Sequence, residues 1–220
     1  DKTSQIENKI ALFQTLNYVF ISVNYRLSPF PNEINNPSRI MYPMHNYDIA
    51  DAIKWVVDNA STYGGNTNKI AIMGHSAGAH LVSLTATNNS FITNVGLNFS
   101  NIKGVASIDT EGYNVLNKIK ENDNYYINAF GKDSILNVQA SPIFNVKTGT
   151  YPKFFIAKRG NTARLKIAND FIDSLVAKGV TVSQIDGSIY THSGINNAIG
   201  DANETIITTP LKAFFEDCFN

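Results

Sequence analysis

Residues 69–81 read Lys-Ile-Ala-Ile-Met-Gly-His-Ser-Ala-Gly-Ala-His-Leu, and no other stretch limits the fold so tightly. A short apolar run, Ile70 to Met73, leads into Gly74-His75-Ser76-Ala77-Gly78 and then into small residues suited to a helix start. This is G-x-S-x-G set between a strand and a helix, the context in which the motif presents a nucleophilic serine on a sharp turn. The glycines are expected for steric reasons, since the chain nearly touches itself two residues either side of Ser76. The turn would lift the hydroxyl above the sheet beside the N-terminal end of a helix dipole. A glycine-rich turn with a buried serine is the competing reading.

The rest of the chain supplies the sheet that such a turn needs. Helical spacing of Ile6, Ile10, Phe13 and Leu16 predicts a helix over 4–16, and Tyr18 to Tyr25 is a β-rich run. Ser28 to Pro43 reads as a loop, 45–61 as a helix with Ile49, Ala52, Ile53, Val56 and Val57 on one face, and Ala77 to about Thr87 as another. Strands are expected at Ile102–Ile108, Phe154–Lys158 and Thr181–Ile185, and helices at Ala163–Lys178 and 204–219. Alternation of this kind gives an α/β architecture with a mostly parallel central sheet and helices on both faces. Residues 111–150 lack strand signals and are expected to form short helices in a pocket-covering excursion. A single domain spanning 1–220 is expected.

The 18 Lys+Arg balance the 18 Asp+Glu, so charge gives no case for nucleic acid or an anionic membrane as partner. No apolar run reaches the length of a bilayer span. The single cysteine, Cys218, excludes an internal disulfide and fits a reducing, cytoplasmic setting; no Cys/His spacing suits zinc. The oligomeric state is not legible.

With Ser76 placed, three segments resemble one family. Ser22 to Pro29 (SVNYRLSP) resembles the "VNYRLSP" signature of the carboxylesterase and hormone-sensitive-lipase-like α/β-hydrolases. Asp48, seven residues before Trp55, matches their acidic helix, and Gly74 to Leu81 (GHSAGAHL) is similar to the elbow of esterases, kynurenine-formamidase-like members included. Tyr190 to Asn196 (YTHSGIN) resembles their histidine loop. The resemblance implies the α/β-hydrolase fold and cleavage of a small-molecule carboxylic ester, or an N-formyl amide, without metal or organic cofactor. In that scheme Ser76 is the nucleophile, His192 the general base, and the Ala77 amide an oxyanion donor. His45, His75 and His80 are expected to be packing or surface histidines.

Two features depart from that family. Its HGGG-type oxyanion loop occurs nowhere in the sequence, and the strand that carries it would lie between 18–25 and the elbow strand. The expectation is an N-terminally incomplete hydrolase domain with upstream strands cleaved or supplied separately. The acid that orients the histidine is also displaced. Asn161 stands in Lys158-Arg159-Gly160-Asn161 where a carboxylate is expected, while Asp109 ends the preceding strand. Asp109 as acid and Asn161 as an amide substitute remain open here, with Glu111 and Asp186 as further candidates. A catalytically impaired relative that binds a ligand in the same cleft is the alternative function. Arg26 and Asp48 are placed to pair, and Tyr113, Tyr125, Tyr126 and Phe130 either line a pocket or pack the core.

Overall fold

A computed structural model of the chain describes residues 2–29, 33–149 and 151–220. In chain order, α1 (Glu7–Thr15) and α2 (Met44–Asn59) precede the elbow strand β1 (Ile70–His75) and α3 (Ala77–Thr87). A short α4 (Ser90–Asn94) leads to β2 (Ile102–Ile108). Residues 111–150 hold the short helices α5 (Val115–Lys120), α6 (Asn124–Phe130), α7 (Ser134–Gln139) and α8 (Pro142–Asn145). Then follow β3 (Lys153–Lys158), α9 (Thr162–Ala177), β4 (Val182–Asp186), α10 (His192–Ala198) and α11 (Thr208–Phe219). Phe30 to Asn32, part of the expected 28–43 loop, lie outside the described residues.

The strands form one parallel sheet in the order β1-β2-β3-β4. The β3 sequence Lys-Phe-Phe-Ile-Ala-Lys shows why it sits in the middle. Phe154, Phe155 and Ile156 are fully buried, as expected of a strand covered on both faces. Alternation sends Phe154 and Ile156 to one layer, with Ile53, Val82, Tyr113, Phe171 and Leu175. Phe155 and Ala157 face the other, with Phe13, Ile195, Leu211, Phe214 and Phe215. Helix α9 buries Ala168, Phe171, Ile172 and Leu175, an i, i+3, i+4, i+7 stripe against the first layer. Tyr113 belongs to that core. Its ring stacks on Phe171 at 4.4 Å between centroids and its hydroxyl lies 2.7 Å from Ser107 Oγ. Phe130 packs with Tyr42 and His80, Tyr126 lies against Phe130, and Tyr125 is exposed.

One expected strand does not form. Tyr18 to Tyr25 has no regular secondary structure and no ladder partner among the described residues, which leaves β1 as the edge of the sheet. Side-chain preference stretches the backbone, whereas a strand also needs a neighbour about 4.8 Å away to bond with. Between this segment and β1 lies a cavity of about 700 Å³ lined by Phe20, Tyr25, Ile72, Met73, Val82 and Phe215. None of the described residues 111–149 lines it. Among the described residues, no helix is long and apolar enough to cross a membrane.

Candidate active site

Ser76 joins β1 to α3 with φ 57° and ψ −118°, a conformation rare for a residue with a side chain. Gly74 makes the bend sterically feasible: a Cβ there would sit 2.2 Å from Gly78 O and 2.8 Å from Ala79 N. Gly78 differs from the steric expectation. A Cβ at that position would meet nothing within 4 Å, so it is its backbone, not its missing side chain, that the turn brings close. The Ser76 amide donates to Ile108 O at 3.0 Å and ties the bend to the end of β2. Ala77 opens α3, so its amide is one of those a helix leaves without an intrahelical acceptor.

Asp109 follows β2 directly and takes φ 51°, its amide donating to Ala157 O on the neighbouring strand. His192 begins α10, whose N-cap Thr191 accepts from the Gly194 amide at 3.0 Å. The histidine loop of the sequence reading is thus the first turn of a helix. Ser76, Asp109 and His192 come from three different carboxyl-end connections of the sheet, where ligands bind in open α/β folds. His192 Nε2 lies 2.9 Å from Ser76 Oγ, and its Nδ1 lies 2.7 Å from Asp109 Oδ2. The imidazole is half exposed, while the Asp109 side chain is only 1% exposed.

That buried carboxylate has further partners the sequence reading did not assign. Arg159 Nε donates to Oδ2 at 2.6 Å, and Arg164 donates to Oδ1 through Nη2 at 2.6 Å and Nε at 3.1 Å. Arg164 also pairs with Glu111. Burial alone would push the Asp109 carboxyl up, but hydrogen bonds from Arg159, His192 and Arg164 outweigh it and hold the group below the usual carboxylate range. Arg159 stands one residue beyond β3, from where its side chain reaches Asp109 at the end of β2. Arg164 lies in the first turn of α9, where its side chain reaches back toward that same end.

The other candidates are employed elsewhere. Asn161, weighed as an amide in the acid's place, is the N-cap of α9: its Oδ1 accepts from the Arg164 amide at 3.0 Å. An asparagine before a helix meets a local demand for an acceptor, which here decides its use. Asp186 Oδ1 accepts from the Ser188 amide in a turn, and Glu111 serves Arg164. His45 is buried with Nε2 3.0 Å from Ser28 Oγ, and the buried His80 lies 2.8 Å from Ala140 O. Arg26 and Asp48 do pair, Nη2 to Oδ1 at 2.6 Å, near the surface. His75, expected to be a packing or surface histidine, adjoins the site: its ring centroid lies 4.6 Å from that of His192.

His75, Asp109 and His192 bring one nitrogen or oxygen each within 4.8 Å, the minimum set for a metal ion. The hydrogen bonds already made by the imidazole nitrogens and the two guanidiniums against the carboxylate oppose a cation there.

Comparison with known proteins places this geometry. The BD-FAE family model matches residues 1–162, which include Ser76 and Asp109 and stop short of His192. Esterase LipQ of Mycobacterium tuberculosis is 41% identical over 71 residues, 32% of this chain and 15% of that protein. Venom carboxylesterase-6 of Apis mellifera is 42% identical over 67 residues, 30% of this chain and 12% of that protein. The matches therefore span less than a fifth of the length of these curated relatives. Among solved structures, an acetyl ester-xyloside bifunctional hydrolase from Caldicellulosiruptor lactoaceticus superposes with a TM-score of 0.73 at 18% identity, over 96% of this chain and 75% of that one. A fungal esterase from Rhizomucor miehei gives 0.69 at 20% identity, over 100% of this chain and 70% of that one. With the family match over most of its length and a parallel sheet carrying a serine elbow, the chain belongs to the BD-FAE family and has the α/β-hydrolase fold.

Proposed function

We propose that this protein is a serine hydrolase that cleaves carboxylic esters through an acyl-enzyme on Ser76. The observation that carries the reading is the continuous relay Ser76 Oγ–His192 Nε2 at 2.9 Å and His192 Nδ1–Asp109 Oδ2 at 2.7 Å. In this reading Asp109 keeps the His192 proton on Nδ1, which leaves Nε2 free to accept from the serine. The serine oxygen attacks the ester carbonyl while His192 takes its proton. Collapse of the tetrahedral adduct expels the alcohol, and His192 hands it that proton. Water, deprotonated by the same imidazole, then releases the acid.

The Ala77 amide is the proposed oxyanion donor on this chain; one such donor is worth about a hundredfold in rate. Residues 1–220 act as one hydrolase domain in this reading, with 111–150, which adjoins the site through Glu111, covering the substrate. The name of each relative quoted above supports ester over amide, and an N-formyl amide would follow the same addition and elimination.

The test is labelling by a fluorophosphonate together with turnover of p-nitrophenyl acetate and of an N-formyl anilide. Labelling of Ser76, lost with ester turnover in S76A, is the expected result. Folded wild-type protein that is neither labelled nor active would replace this reading by a ligand-binding one.

A further inference from the structure

We propose that His75 is a positioning residue for the base, because its ring nitrogen holds the backbone of His192 while its own chain carries Ser76. The proposal rests on the serine-hydrolase reading above. His75 Nε2 donates to His192 O at 2.8 Å, across 117 positions of sequence. The two rings lie beside each other, tilted by 39° with centroids 4.6 Å apart. β1 therefore ends in two adjacent residues that grip the same histidine, Ser76 at its ring and His75 at its main chain.

This third hold has a physical use. Hydrogen bonds at the two imidazole nitrogens fix the ring along the line joining Ser76 and Asp109, but they leave it free to roll about that line. The side chain is 47% exposed, so packing restrains the roll only in part. Behind the ring, α10 is anchored by the buried Ile195 and by Lys9 Nζ, which donates to Asn196 O at 2.6 Å. Both anchors act at least three residues beyond His192. The bond from His75 acts on His192 itself, and the adjacent ring limits the roll from one side.

The bond also sets the protonation of His75. Donation to a carbonyl requires hydrogen on Nε2. Burial, reinforced by the neighbouring imidazole, holds its pKa down to about 4, so the ring stays neutral where the base works. A neutral donor steadies His192 without placing a second cation beside the imidazolium formed in each step.

Three variants test the proposal. H75F keeps a ring and bulk without a donor, H75Q places an amide N–H near the position of Nε2, and H75N is too short to reach the carbonyl. Turnover of p-nitrophenyl acetate, the rate of fluorophosphonate labelling and the thermal midpoint are measured for each. A loss of about 10- to 100-fold in kcat and labelling rate is expected for H75F and H75N, with KM within about threefold. H75Q is expected to regain most of that loss. If H75F does not fold, H75Q against H75N carries the comparison. The proposal is overturned if H75F or H75N keeps kcat within about twofold of wild type, or if H75Q loses as much as they do. Wild-type protein that resists labelling would remove the hydrolase reading and this inference with it.

Discussion

Replacing Asp109 by Asn disturbs the most densely bonded group of the site. The carboxylate receives Arg159 Nε at 2.6 Å, Arg164 Nη2 at 2.6 Å and Nε at 3.1 Å, and His192 Nδ1 at 2.7 Å. An amide offers one oxygen, so one side must meet donors with its NH2. Turned toward Oδ1, the NH2 faces the Arg164 fork. Turned toward Oδ2, it faces Arg159 and forces His192 to accept at Nδ1. The proton then moves to Nε2 and the imidazole can no longer take one from Ser76. In a serine protease triad this exchange costs about 10⁴ in turnover, and a loss of that order is expected here.

Stability falls too. Stripping the charge from a buried pair costs about 3–5 kcal/mol. The lower end applies because the two arginine side chains are 18% and 19% exposed and Arg164 keeps Glu111. The sign of the pH dependence follows from the lowered Asp109 pKa. A carboxyl with a depressed folded pKa stabilises fully above its unfolded value of about 3.9 and loses that contribution as pH falls through the folded value. The gap between wild type and D109N is therefore flat from about pH 7 to 5 and closes below about 4. Turnover of p-nitrophenyl acetate and urea unfolding across that range measure both. A kcat within tenfold of wild type, or a stability gap that widens on acidification, would refute the reasoning.

The elbow glycines should separate cleanly. G74A drives a Cβ to 2.2 Å from Gly78 O and is expected to abolish labelling and lower the thermal midpoint sharply. G78A, in the first turn of α3 with open space around the new methyl, should be neutral or stabilise by up to about 1 kcal/mol in urea unfolding. N161A should lose about 1 kcal/mol of stability with the α9 cap and leave kcat unchanged, while N161D should keep both. A large fall in kcat without loss of stability in N161A would return that residue to the site.

Much of the site was legible because its cues are local. Ser76 announces itself by a strand, two glycines and a helix start within a dozen residues, and His192 by its place after the last strand. Asp109 was one of four candidates, beside Asn161, Glu111 and Asp186, because its only cue was its place at a strand end. Whether it or Asn161 serves His192 depends on which connection stands nearer. In the structure Asn161 caps α9, while Asp109 lies beside the imidazole, which supports the proposed role of Asp109. Arg159, Arg164 and the turn of His75 were not legible. Each acts through a partner between 50 and 117 positions away, and no periodicity reports such a contact.

By itself the chain's order of residues determined the parallel sheet and the sharp bend at Ser76. These rest on side-chain volume, period and backbone freedom, which act within a few residues. Tertiary structure alone decided that Tyr18 to Tyr25 forms no ladder among the described residues, and that one buried carboxylate is shared by an imidazole and two guanidiniums. Both outcomes depend on what distant segments place alongside, since a ladder and a charge network each need partners that sequence neighbours do not supply.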